Sequence, residues 1–316
     1  MNINTDLKNE GGNINVLSLF DGDSGGQVAL KKAGFSIGKY YASEIDKYAI
    51  QITQKNHPNT IQIGDVVDVK GSDYPDTDII IGGSPCQGFS YAGKKLNFID
   101  PRSRLFFEFV RVLEELRRLK PGILFLLENV KMEKEFQDII SKYLGIEPIK
   151  INSSTISAQN RERLYWTNIS AVSQPDDKGL LLKDIIENLN GNRPCDLREY
   201  KKSSLCHHIA TATDIKGNES IKRVYAVTGK SPTLTTMQGG HRQPKVLCEN
   251  SMYRKLTPLE CERLQTLPDN YTEGVSNTQR YKMIGNGWTI DVVAHIFTFF
   301  LKQRIESEVT GIKLIG

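Results

Sequence analysis

From Ile14 to Trp166 the chain alternates short apolar runs with segments of helical spacing, and this alternation constrains the fold more than any other feature. Ile14–Phe20 leads into a helical pattern through Val28, Leu30 and Ala33 that Gly34 closes. Ile37–Ala42 leads into Asp46–Asn56, stopped at His57-Pro58. Thr60–Ile63 and Thr77–Ile81 are further strand candidates. Leu105–Leu119 carries Phe106, Phe109, Val110, Leu113 and Leu116 at helical spacing, and Ile123–Leu127, Glu135–Leu144 and Glu147–Ile151 continue as strand, helix and strand. Such alternation predicts an α/β fold: a doubly wound, mostly parallel sheet with helices on both faces. Ligands of open α/β sheets bind outside the carboxyl ends of the strands, which singles out the residues that follow each run.

Near residue 171 the texture changes to turn formers and charge. Lys178–Leu189 reads as one helix, and Val224–Leu247 as short strand-like pieces divided by Gly229-Lys230-Ser231-Pro232 and Gly239-Gly240. Thr257–Leu264 has Pro258 in a first-turn position, and Thr289–Ile305 is a strongly apolar helix. The expected organisation is a catalytic and cofactor-binding domain over 1–170, a smaller loop-rich lobe over 171–277, and a C-terminal segment, 278–316, that returns to the first domain.

The net charge of +4 permits a polyanionic partner without requiring one. Cys86, Cys195, Cys206, Cys248 and Cys261 are odd in number and irregularly spaced, which argues for reduced thiols in the cytoplasm and against a disulfide framework. Cys206-His207-His208 lacks a second ligand pair, so no metal is expected. Neither a secretory leader nor a membrane-spanning apolar stretch is legible.

Three strand ends carry residues suited to a nucleoside ligand. Phe20-Asp21-Gly22-Asp23-Ser24-Gly25-Gly26 lies at a strand-to-helix junction where glycine lets the backbone approach a ligand. Glu44 ends the second strand, where a carboxylate can accept ribose hydroxyls, and Asp65-Val66 follows the third. Absence of Gly-Lys-Ser/Thr from the turn argues against a nucleoside triphosphate. The fourth run stops at Gly83-Ser84-Pro85-Cys86-Gln87, which sets a thiol at the mouth of a site, or buries a small apolar side chain. Glu128-Asn129-Val130 ends the next strand, as a functional carboxylate or as a helix cap. Gln159-Asn160-Arg161-Glu162-Arg163 would place both arginines on one strand face, in a site or in a surface ion-pair strip.

In this order and spacing, Phe20-x-Gly22, Glu44, Asp65, Pro85-Cys86-Gln87, Glu128-Asn129-Val130, Gln159-x-Arg161-x-Arg163, Arg254-x-Leu256-Thr257-x-x-Glu260 and Gly285-Asn286 resemble the motif set of DNA (cytosine-5)-methyltransferases over nearly the whole chain. The resemblance implies a class I, Rossmann-like methyltransferase fold whose smaller lobe recognises DNA. It implies S-adenosylmethionine as cofactor, S-adenosylhomocysteine as product, and methylation of cytosine carbon 5 in a short double-stranded sequence after base flipping. Cys86 would then be the nucleophile toward cytosine carbon 6, Glu128 would hold N3, and Arg163 the base carbonyl, with Arg161 in support. Phe20, Asp21, Gly22, Ser24, Gly26, Glu44, Asp65, Val66, Asn286 and Trp288 would surround the cofactor. DNA contacts would come from Gln87 and Ser90, from Arg102 and Arg104 at the end of a lid loop starting at Gly88, and from Thr235, Gly239, Gly240 and Arg242. Asp23 departs from the family pattern, which has an apolar residue there. The expected setting is a cytoplasmic monomer with no membrane partner and a cognate restriction endonuclease encoded separately. A tRNA cytosine methyltransferase and a catalytically silent binder are the rival readings.

Overall fold

The run Ile79-Ile80-Ile81, with no exposed surface, lies at the centre of a seven-stranded sheet. The computed structural model describes residues 13–85, 104–199 and 204–310. Strands β1 (Asn13–Leu19), β2 (Ser36–Ser43), β3 (Ile61–Gln62), β4 (Ile79–Gly83), β5 (Leu124–Val130), β6 (Ile149–Asn152) and β7 (Glu162–Thr167) are ordered β3-β2-β1-β4-β5-β7-β6. Pairings among β1 to β5 are all parallel, whereas β7 runs antiparallel to β5. The sheet is therefore mixed. The chain winds outward from β1 to β3 and then crosses back to β4, so the strand order reverses between β1 and β4, the position that opens a ligand crevice at the carboxyl edge.

The crossover helices are α1 (Gly25–Lys32), α2 (Lys47–Asn56), α3 (Arg104–Leu119) and α4 (Lys134–Leu144). Asp46 caps α2 by accepting from the Tyr48 amide at 3.0 Å, which satisfies one of the amides a helix start leaves unpaired. Phe106, Phe109, Val110, Leu113 and Leu116 recur at helical spacing on α3 and enter one core with Leu17, Leu19, Ile80, Phe125, Leu127 and Trp166. Each such side chain contributes about 1.5–3 kcal/mol on full burial.

The chain divides into two compact units: Met1–Ile151 with Glu162–Gln174 and Val293–Gly316, and Asn152–Arg161 with Pro175–Val292. Residues 278–292 therefore group with the second unit, as does the short excursion 152–161. The second unit contains a closed barrel, β10-β11-β12-β8-β9, from β8 (Arg193–Leu197), β9 (His208–Ala212), β10 (Arg223–Tyr225), β11 (Lys245–Leu247) and β12 (Met252–Lys255). The helices after α4 are α5 (Glu219–Lys222), α6 (Pro258–Leu264), α7 (Asn277–Asn286) and α8 (Ile290–Thr310). Thr257 and Glu260 cap α6 reciprocally.

One expected element is absent. Lys178–Leu189 forms only a 3-10 turn at Leu182–Asp184. The amides of Leu182 and Lys183 instead donate to the carbonyls of Gly229 and Val227, both at 2.9 Å, so they are unavailable for a helical ladder.

Leu113 faces the sheet with no exposed surface. Leu113→Ala is expected to lower unfolding stability by about 2–5 kcal/mol in urea titration. A loss under about 1 kcal/mol would contradict the packing of α3 described here.

Candidate active site

The turn from β1 into α1 is held in an uncommon backbone conformation. Phe20, Gly22 and Ser24 have φ of 57°, 62° and 60°, in the left-handed region that favours glycine. Ser24 is fully buried, donates its hydroxyl to Asp21 Oδ2, and accepts from Thr53 Oγ1 at 3.2 Å. Asp21 also accepts from the Tyr40 hydroxyl at 2.7 Å. Its carboxylate thus braces the turn from inside. Burial pushes the Asp21 carboxyl up to about 6, against the lowering effect of its bonds to Ser18, Ser24 and Tyr40, and the negative charge of Glu44 adds to the rise. Gly26 is buried at the start of α1, and Phe20 packs partly onto the sheet core.

Glu44, at the carboxyl end of β2, is half-buried. Its Oε2 accepts from the Gly22 amide at 2.8 Å, and its Oε1 from the Ile45 and Asp46 amides, both at 2.8 Å. Three amides orient a carboxylate that has about four acceptor positions. Asp65 follows β3 and caps a short 3-10 turn by accepting from Val67 N at 3.2 Å. Val66, expected at the cofactor, turns its side chain into the sheet core instead, and the neighbouring Val67 is 49% exposed. Ile45, beside Glu44, is 73% exposed. These two exposed aliphatics were missed by reading motifs alone; for Ile45 an apolar residue directly after the strand-end acid was the available signal, whereas Val67 stands one place further from Asp65, behind the buried Val66.

At the ends of β4 and β5 the backbone pairing aligns Gly83 with Glu128. Asn129 Nδ2 donates to Ser84 Oγ at 3.1 Å and Asn129 Oδ1 accepts from Val130 N at 2.8 Å, tying the strand ends together. Because β7 is antiparallel to β5, its first residues lie at the carboxyl edge. Val130 opposes Arg163 and Glu128 opposes Tyr165, which makes Glu128 and Arg163 diagonal neighbours on one face. Arg163 Nε stands 3.0 Å from Glu128 Oε1, and both side chains are largely buried. Cys86, Gln87, Ser90 and Arg102, with the lid loop from Gly88, lie outside the described residues. Arg104 begins α3 and is exposed.

Arg161 does not share a strand face with Arg163. It precedes β7 and belongs to the second unit, where its guanidinium donates to the carbonyls of Leu234 at 2.9 Å, Gly285 at 3.2 Å and Gly287 at 2.9 Å. A planar donor fork matched to three backbone carbonyls is a structural clamp. Gln159 completes it: Oε1 accepts from Leu234 N at 2.9 Å, and Nε2 donates to Gln265 Oε1 at 3.0 Å. The clamp fixes the segment whose Thr235 is exposed, ahead of the exposed Gly239, Gly240 and Arg242. Asn286 is exposed and Trp288 half-buried in the same unit.

Residues 14–302 match the family model for C-5 cytosine-specific DNA methylase. The type II methyltransferase M.Bsp6I of Bacillus sp. (strain RFL6) is 30% identical over 92% of this chain and 100% of that protein. The type II methyltransferase M.HhaI of Haemophilus parahaemolyticus is 30% identical over 90% of this chain and 93% of that one. Among solved structures, the Dnmt2 methyltransferase of S. pombe aligns with a TM-score of 0.68 at 19% identity, covering 92% of this chain and 99% of that chain, a likeness of fold.

Two outcomes follow from this geometry. The Asp21 carboxyl is raised from 3.8 to about 6 in the folded protein, so its stabilising contribution is complete below the unfolded value and is lost as pH rises through about 6. Urea midpoints of the native protein minus those of Asp21→Asn should therefore fall across that window and level off above it; a flat difference would contradict the buried brace. At Gly285 an added Cβ would meet the Thr235 carbonyl oxygen at 1.8 Å. Gly285→Ala is expected to lower stability by about 1–3 kcal/mol or more, and an unchanged melting temperature would rule out that close approach.

Proposed function

The chain belongs to the C-5 cytosine-specific DNA methylase family and is a DNA (cytosine-5)-methyltransferase, and from that premise we propose that it acts on one cytosine in a short specific sequence of double-stranded DNA, by base flipping and a covalent bond to Cys86. The observation that carries this reading is the Glu128–Arg163 pair at the carboxyl edge, with Glu128 on the strand next to the one that leads into Cys86. A buried carboxylate beside a guanidinium offers complementary contacts for the N3 and carbonyl edge of a flipped cytosine.

S-adenosylmethionine, when bound, supplies an electrophilic methyl group on a sulfonium. The strand-end residues fit such a ligand. Glu44 would take ribose hydroxyls, Asp65 the adenine amino group, and the exposed Ile45 and Val67 the faces of the purine ring. Phe20, Gly22 and Gly26 would bring the backbone of the turn close, with Asp21 and Ser24 acting as its internal support. Asn286 and Trp288 complete the proposed set.

Cytosine carbon 5 is a weak nucleophile. Addition of the Cys86 thiolate to carbon 6 turns the ring into an enamine and places electron density on carbon 5. Glu128 assists by holding N3 through a proton, and Arg163 by holding the base carbonyl. Once carbon 5 carries the methyl group, loss of its proton to a base would expel the thiolate and restore the aromatic ring. A free thiol near its ordinary pKa of ~8.5 needs deprotonation as it attacks. Flipping the base costs about a few kcal/mol, which closure of the loop from Gly88 to Arg102 and phosphate contacts from Arg102 and Arg104 would offset. Gln87, Ser90, Thr235, Gly239, Gly240 and Arg242 are the remaining proposed DNA contacts. We extend the proposal to a cytoplasmic monomer that works beside a separately encoded restriction endonuclease.

Expression in methylation-free bacteria, followed by mapping of 5-methylcytosine in DNA and RNA, tests this function. Modification of DNA in one sequence context is expected, abolished by Cys86→Ser. Signal confined to tRNA would overturn the DNA substrate. Glu128→Gln should lower kcat about a hundred- to ten-thousand-fold with cofactor affinity retained. Duplexes bearing 5-fluorocytosine at the mapped site should trap a lasting adduct through Cys86, because fluorine does not leave as a proton does. An active enzyme that forms no adduct would exclude the covalent route.

A further inference from the structure

In the second unit, Lys245 opens β11 and is only 2% exposed. Its ammonium donates to the backbone carbonyls of His241 at 2.7 Å and Gln243 at 3.0 Å. Those carbonyls belong to the loop between Met237 and Pro244. The loop is anchored at one end by the buried Met237, and at the other by Pro244, whose carbonyl accepts from the Leu256 amide at 2.9 Å. Its apex from 238 to 242 is exposed. Met237, Gly239, Gly240 and His241 all have left-handed φ, at 49°, 63°, 60° and 59°. A run of such residues has no ladder partner to hold it and costs free energy at its non-glycine positions. Lys245 supplies the missing partners from a strand fixed on both sides, by β10 and β12.

We propose that Lys245 is a positioning residue for DNA recognition, its buried ammonium holding the Gln238–Arg242 apex in the shape that presents Gly239, Gly240, His241 and Arg242 to the duplex. This rests on the reading of that apex as DNA-facing. The charges around Lys245 make the device pH-sensitive. Lys255, directly opposite on β12, and Arg193 on β8 disfavour a further cation, as burial does; Asp214, which accepts from Tyr253, is the acid that favours it. His241 of the loop is itself held below its ordinary value by Lys255, burial, Arg193 and Lys245. Burial above all, with the charges of Lys255 and Arg193 and against the opposing effect of Asp214, brings Lys245 down to about 8 from 10.5. Below that pH the charged strut is intact, and above it the two charge-assisted bonds weaken.

The test uses steady-state methylation of genomic DNA from methylation-free bacteria. Lys245→Met should raise the KM for DNA about tenfold or more, with kcat and the KM for S-adenosylmethionine within about twofold. The native KM for DNA should rise between about pH 7 and about pH 9, and Lys245→Arg, which stays charged, should restore the neutral-pH value and flatten that rise. An unchanged KM in Lys245→Met, or the same pH rise in Lys245→Arg, overturns the proposal. Arg242→Ala serves as a separate arm. If it leaves the KM for DNA unchanged, the DNA-facing reading of the apex fails, whatever Lys245 does. Should Lys245→Met not fold, hydrogen exchange of amides 238–243 in the native chain decides. After correction for intrinsic rates, faster exchange at about pH 9 than at about pH 7 supports the strut, and equal rates overturn it.

Discussion

The pairing of Glu128 with Arg163 depends on a single reversal of chain direction. Had β7 run parallel to β5, Arg163 would lie at the opposite edge of the sheet, about 17 Å away over the length of the strand. Because β7 is antiparallel, its first residues meet the last residues of β5, and the two charges come to 3.0 Å. Such a pair is a poor source of stability. Desolvation of both ions offsets most of their attraction, while loss of either partner leaves a buried charge at a cost of about 3–5 kcal/mol. Under the proposed function, the arrangement serves the binding of a polar base edge and not the stability of the sheet. The Asn129–Ser84 bonds extend the same order to the end of β4, two residues before Cys86.

The second unit solves a different problem by one repeated means. Its strands are short, and much of its chain is irregular, so many carbonyls have no ladder partner. Buried cations take them up. Arg161 binds carbonyls of Leu234, Gly285 and Gly287; Lys230 binds those of Ser154, Ser157 and Leu180; Lys245 binds those of His241 and Gln243. A cation so placed satisfies several acceptors at once and dictates the path of segments far apart in sequence. It also carries a desolvation cost, visible in the lowered values of Lys230 and Lys245. A loop-rich unit can thereby hold a defined shape with few strands.

This difference explains what could be read from the sequence. The sheet follows from local periodicity: Ile79-Ile80-Ile81 and the Phe106-to-Leu116 stripe declare a buried strand and an amphipathic helix without reference to anything distant. Strand-end acids such as Glu44 were legible for the same reason, since their place follows from where each apolar run stops. Arg161 and Lys178–Leu189 were not. Arg161 finds its partners 73 to 126 positions away, and Leu182 and Lys183 bond to residues 227–229. Bonds to remote carbonyls, from a side chain or from a backbone amide, leave no periodic trace, and a lone arginine beside a strand reads as part of that strand.

The turn between β1 and α1 shows how a local departure is accommodated. Left-handed backbone at a residue bearing a side chain costs about 1–2 kcal/mol, and at Ser24 the backbone offsets part of it, its amide donating to the Asp21 carbonyl at 3.2 Å and its carbonyl accepting from the Gln27 amide at 3.0 Å. The side chain adds to this. A serine hydroxyl can both donate and accept, and Ser24 does both, toward Asp21 and from Thr53. Asp21 in turn has to remain buried to reach it, and that burial raises its own carboxyl, against the hydroxyl bonds, which favour the ionised form. Glycine at position 24 would need no such partner, and an apolar residue at position 21 would leave the serine without its acceptor. The two residues are thus one device, and the shape of the turn next to Glu44 depends on keeping both.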